Sequence, residues 1–159
     1  MLIVRCQTGD DLALDAETLV GIDLSNANLH RALLDGQSLR GARLVGAELR
    51  SAWLENTDFS AADLSRTILF SCVATGANFS DAKLGAAVLS TGIFDRANFT
   101  RADLSGARVG LASFKGAVFD GADVRCENLD KADLNGARAT RATQWPDGFD
   151  PTKHGVIIE

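Results

Sequence analysis

The sequence predicts an all-β solenoid of about six coils, four five-residue units to a coil, with a distinct cap at each end. Three observations predict it. A large apolar residue returns every five positions. A small residue stands two places before it. The aromatic members of the series return every twenty.

The five-residue series starts at Leu19 and Leu24, passes through Leu54, Phe59, Ala74 and Phe79, and ends at Leu134 and Ala139. No member is polar and the register is unbroken. Helices repeat at 3.6 residues and strands at 2.0, so neither simple element explains a period of five. Positions five apart would rotate by about 140° per step around an α-helix. A small and a large residue two apart fit an extended segment that shows one face to a core. Five residues bury nothing alone, so the units must stack on copies of themselves.

The twenty-residue columns support that stacking. Phe59, Phe79, Phe99 and Phe119 form one, Phe94 and Phe114 lie in a second, and Leu24, Leu44, Leu64, Leu84 and Leu104 form a third. Stacked at the cross-strand spacing of roughly 4.8 Å, these columns become ladders of like side chains and the rod is roughly 30 Å long. Each large side chain is worth about 1.5–3 kcal/mol when fully buried, so the ladders dominate stability.

The order along the chain follows. Residues 1–16 hold a β-like Leu2-Ile3-Val4 and then LALDA, read as a cap or a degenerate first unit. Residues 17–141 are the repeat. Residues 142–159 break it, with Trp145 and Phe149 placed to plug the last coil and Pro146 and Pro151 to stop continuation. Glu17, Gln37 and Glu127 occupy positions that should point inward. Ala74 and Gly92 are expected to leave a thin place in the core.

Runs such as ANFTR, ADLSG and ADLNG resemble the pentapeptide-repeat family. The resemblance covers residues 17–141. It implies a right-handed quadrilateral parallel β-helix, and the handedness rests on the resemblance alone. The WPDGFDP stretch is similar to a tail often found after such repeats. Quinolone-resistance members of the family resemble duplex DNA in shape and charge and bind DNA gyrase, which makes gyrase an alternative partner. The unbroken register, the basic residues Arg43, Lys83 and Arg108, and the lack of an apolar dimerisation helix depart from that type.

Composition narrows the function classes. The chain has 159 residues, 46% of them hydrophobic, enough for one domain with a real core. A net charge of -5 argues against direct nucleic-acid binding, which needs a basic face. Three cysteines, Cys6, Cys72 and Cys126, form no paired framework or zinc motif. MLIVR lacks the apolar core of a secretory signal, and no apolar run has membrane-spanning length, so the expected compartment is the cytoplasm. No catalytic, metal or cofactor motif occurs, and the expected protein is not an enzyme and needs no cofactor. The many Asp and Asn residues suit turns, although Asp103 and Asp123 should stack in one column. Cys72 takes an inward position and reads as core; Cys126 takes an outward one and could be a reactive thiol. His30 reads as a solvated surface residue.

The outward residue before each large one carries the functional signal. One column reads Leu33, Trp53, Val73, Ile93; its neighbour contains Ile68 and Val88, with Phe70 nearby. Asp35, Glu55 and Asp95 flank them. Contiguous exposed apolar surface marks interfaces, and Trp is a favoured anchor. Three readings stand side by side: an interface with a protein partner or a second copy, a surface covered by one of the termini, and plain strand preference. The expected role is a protein-interaction scaffold.

Overall fold

In a computed structural model covering residues 1–159, the repeat is a continuous stack of turns. Residues twenty apart pair in parallel on four sides. One side runs Asp23, Arg43, Asp63, Lys83, Asp103, Asp123; the next Asn28, Glu48, Ile68, Val88, Arg108; the third Leu33, Trp53, Val73, Ile93, Ser113, Asp133; the fourth Ser38, Asp58, Asn78, Asn98, Val118, Arg138. Each unit gives one bridging residue per side rather than a long strand. The rungs are short and regular: Asp63 N–H donates to Ala42 O at 2.9 Å, and Leu64 N–H to Lys83 O at 2.7 Å.

The motif explains itself at the corners. Asn98 shows it: its Oδ1 accepts the N–H of Thr100 at 2.9 Å, which starts the turn. Phe99 then points inward, and Ala102 N–H closes the turn on Phe99 O at 2.9 Å. The residue between them, Arg101, has φ 56. A positive φ at the third turn residue is what a type II turn requires. Every corner from residue 21 to residue 121 has it, and Gly supplies it only at some.

The core is a single column of buried Leu, Phe and Ala. Phe59, Phe79, Phe99 and Phe119 stack in sequence with centroids 5.2, 4.9 and 5.2 Å apart and nearly parallel planes. Phe94 and Phe114 stack 5.3 Å apart and meet the first ladder edge-on. Inward Thr57 and Thr67 donate their hydroxyls to Leu34 O and Leu44 O at 2.8 and 2.7 Å, so their burial leaves no polar atom unpaired. No thin place exists at Gly92. A Cβ there would lie 2.6 Å from Phe94 Cε2, because the ring has filled the space.

The register does slip, in contrast to the sequence reading. Glu127 pairs with Arg108 after nineteen residues, and a 3-10 turn at Leu129–Lys131 restores the phase by Asp133. Gln144 pairs with Asp123 after twenty-one. The two changes are hidden in the sequence because Leu129, Leu134 and Ala139 stay in phase. Glu17, Gln37 and Glu127 are exposed, since a carboxylate or amide gains nothing by turning into an apolar column.

The ends are built differently. The segment LALDA is not a repeat unit: β1 (Leu2–Val4) and β2 (Leu12–Leu14) form an antiparallel hairpin. The chain then pairs antiparallel with the first coil, where Leu33 N–H donates to Arg5 O at 2.8 Å. At the other end β3 (Arg138–Ala139) pairs in parallel with β4 (Ile157–Ile158). Trp145 meets Phe119 edge-on at 6.4 Å, Phe149 stacks on Trp145, and His154 stacks on Phe149. Pro151 opens a short 3-10 turn, capped by Asp150, which accepts from Thr152.

Candidate functional surface

The third side, the corner before it and the adjoining rungs of the second side carry the apolar patch. Leu33, Trp53, Val73 and Ile93 follow one another at successive rungs, each bridged to the next through the flanking backbone: Trp53 N–H donates to Ala32 O and Leu34 N–H to Trp53 O, both at 2.9 Å. Trp53 is 40% exposed. Leu33, Phe70 and Ile93 are exposed to a similar degree, whereas Val73, Ile68 and Val88 are half-buried by their neighbours. Phe70 lies on the corner that joins the second and third sides, with the Arg50 guanidinium 5.8 Å above its ring. A groove of about 330 Å³ runs beside Trp53, lined by Gln7, His30, Arg31, Ser51, Ser71 and Val73. His30 is therefore a half-buried groove wall rather than a free surface group.

Leu111 extends the patch and escaped the sequence reading. It sits on the same corner as Phe70, is 72% exposed and has φ 61. Its signal was legible: leucine at a corner position that wants Gly or Asn. The six bridging residues of the patch forgo a second kind of local stabilisation. Asp or Asn at that place accepts a hydrogen bond from the turn, as Asp23, Asp58 and Asp103 do at 2.9 Å. Leu, Trp, Val and Ile cannot.

Neither terminus covers the patch. The C-terminal strand pairs on the fourth side, extending the Val118–Arg138 column. The N-terminal segment pairs beside Leu33 and puts Gln7 on the wall of the groove at Trp53, leaving both side chains about 40% exposed, and with Leu19, Leu34 and Gln37 it lines an end pocket of about 290 Å³.

Elsewhere the polar groups are used locally. Asp103 and Asp123 do pair, but Asp123 is held by Arg125 through two contacts, at 2.9 and 2.5 Å, and Asp103 by Ser105 N–H. That Arg125 hydrogen bond outweighs burial and keeps the Asp123 carboxyl below its ordinary value. Asp81 is lowered likewise by Arg101, 2.7 Å away. Along the first side acids alternate with Arg43 and Lys83, so no continuous acidic stripe forms. No three His, Cys, Asp or Glu side chains converge as metal ligands would. No helix is long and apolar enough to cross a membrane.

Cys126 corrects the sequence reading. The shortened unit turns it from the outward position to the inward small one, where its Sγ donates to Leu104 O at 3.4 Å, the counterpart of the Thr57 hydroxyl that donates to Leu34 O at 2.8 Å. Burial, with the charges of Asp123 and Asp103, pushes its thiol up to about 12. Such a thiol is inert at neutral pH. Cys72 is fully buried and raised by desolvation.

The geometry agrees with comparisons to known proteins. The family model for pentapeptide repeats matches residues 19–55, 54–90, 77–116, 93–125 and 112–143. The chain belongs to the pentapeptide-repeat family. No curated protein is significantly similar to it in sequence. Among solved structures, a pentapeptide repeat protein of the Arabidopsis thaliana thylakoid lumen is 31% identical, with a TM-score of 0.43; the match covers 66% of each chain. HetL, involved in heterocyst differentiation regulation in the cyanobacterium Nostoc, is 25% identical over 89% of this chain and 82% of its own, TM-score 0.38. Trypsin-treated QnrB1, a plasmid-mediated fluoroquinolone resistance protein, is 20% identical over 92% of this chain and 86% of its own, TM-score 0.50. The last likeness concerns the fold: a β-helical solenoid.

Proposed function

We propose that this pentapeptide-repeat protein is a non-enzymatic interaction scaffold, and that the patch of Leu33, Trp53, Val73, Ile93, Ile68, Val88, Phe70 and Leu111 is its docking surface. One observation carries the proposal. The residues of the patch stand where the repeat mostly has polar residues or Gly, and they cluster on two adjacent sides, the second and third, and the corner between them. Residues that break a local rule together, on one surface, mark function. Solenoids present long regular faces suited to such a role. Three free thiols, two of them buried, fit the reducing cytoplasm.

The test compares capture of partners by wild type, by Trp53→Asp and by Asn78→Lys, which changes a different side. Loss in Trp53→Asp alone supports the proposal; equal capture by all three removes the patch from consideration. The alternating charges of the first side give a gyrase-binding, DNA-like role no support. A supercoiling assay is expected to show no inhibition at high micromolar protein.

A further inference from the structure

At its first two levels the patch is edged by opposite charges, and this identifies what it fits. On the third side each coil enters past one corner and leaves past another. In the first coils the entry corner holds Arg31 and then Arg50, both exposed. The exit corner holds Asp35 and then Glu55, also exposed. Their levels match: Asp35 Oδ1 accepts the N–H of Glu55 at 2.7 Å, one rung above, and Arg31 N–H donates to Arg50 O at 2.9 Å. Leu33 and Trp53 lie between the two edges. Arg31 reaches only the exposed Gln7, at 2.9 Å, and Arg50 a half-exposed Glu48, at 3.4 Å, so both guanidinium groups stay at the surface.

We propose that the occupant of the patch is a second copy of this chain, docked side by side in parallel, an inference that rests on reading the patch as an interface. Symmetry selects the arrangement. Two copies laid face to face are related by a two-fold axis in the plane of contact. With that axis along the rod, the basic edge of one copy lies over the acidic edge of the other at equal height. Arg31 then opposes Asp35 and Arg50 opposes Glu55, twice each, with the Trp53 side chains between them. With the axis across the rod, acid lies over acid and base over base. Like charges at a rim reject that arrangement. Further along, Phe70 and Leu111 on the entry corner lie over the exit corner of the other copy, so the apolar contact itself is made by Leu33, Trp53, Val73 and Ile93. The surface is one unit wide plus a corner, the narrow kind of contact that goes with weak and transient association, so the dimer is sought at high concentration.

Native mass spectrometry with a concentration series tests this, because charge variants have distinguishable masses. Glu55→Arg makes the second level basic on both edges; Arg50→Glu makes that level acidic on both, while Arg31 and Asp35 stay as they are. Each alone is expected to dimerise about tenfold more weakly than wild type, since both symmetry-related contacts become repulsive. Mixed in equal amounts, they are expected to form the mixed dimer in preference to either self-dimer, and the double variant is expected to recover wild-type dimerisation. Both substituted positions are exposed, so folding is not at issue, and circular dichroism checks it. Single variants that dimerise like wild type, or a mixture with no excess of mixed dimer, overturn the parallel arrangement. A wild type that stays a single chain at several hundred micromolar overturns the second copy as occupant. The capture experiment with Trp53→Asp then decides whether the patch serves another protein. A dimer that survives Trp53→Asp overturns both.

Discussion

A single residue, Leu111, shows how the fold and the surface compete. Its backbone is left-handed, φ 61, and its side chain is 72% exposed. An L-residue in that conformation loses about 1 kcal/mol relative to Gly. Leu111→Gly is therefore expected to raise the melting temperature by about 2–4 °C in a chain of this size. The same variant loses apolar area and should weaken association. A fall in stability instead would mean that Leu111 packs on something within its own chain. Cys72 makes a second residue-scale prediction. Its thiol is raised by burial, so it stays protonated in the fold where an unfolded thiol, near 8.5, ionises. The stability it contributes is complete below about pH 8.5 and falls as pH rises above that. Cys72→Ala keeps the small inward side chain used throughout the repeat and should flatten that alkaline loss, measured by denaturant midpoints from pH 7 to 10.

At the scale of the elements, the aromatic ladder holds the middle of the rod. Phe99 stacks on Phe79 and on Phe119, and meets Phe94 and Phe114 at an angle. Phe59 ends the ladder with one stacked neighbour, Phe79. Phe99→Ala should cost about 3–5 kcal/mol, the usual range for a buried Phe, and Phe59→Ala less. Chemical denaturation of both variants checks the order; equal losses would show that burial alone matters and stacking does not. These ladders were fully legible in the sequence, because a twenty-residue recurrence of Phe needs no knowledge of turns. The corners were legible only in part. The Asp and Asn positions announced the turns, but nothing in the five-residue count reveals that one unit loses a residue at Glu127 and another gains one before Gln144. Compensating shifts leave the large residues in phase. That is why Cys126 read as an outward thiol although it lies in the wall. The N-terminal segment left two readings open, a cap or a degenerate first unit, for a related reason: LALDA has the right spacing for a repeat, and only its antiparallel pairing with Leu2–Val4 sets it apart.

Across the whole molecule, acid should loosen the stack. Asp123 is held below its ordinary value chiefly by the hydrogen bond from Arg125. For Asp63, burial works upward, but hydrogen bonds from Ser65 and the charges of Lys83 and Arg43 outweigh it and lower the carboxyl. Asp133 is lowered first by the N–H of Asn135, then by Lys115. A carboxyl lowered in the fold stabilises above its unfolded value, near 4, and that contribution disappears as pH falls through the folded one. Thermal midpoints should therefore drop below about pH 4. The candidate surface was legible as a column, Leu33 to Ile93, but not as an area. Which apolar residues share a corner, and where the two termini lie, depends on how the coils close.

Whether this area is an interface anchored by Trp53 is decided by light scattering over a concentration series, with wild type and Trp53→Asp side by side. The wild-type mass is expected to rise from 16.8 kDa toward twice that value, and the mass of the variant to stay at 16.8 kDa. Identical concentration dependence in the two proteins would rule the interface out.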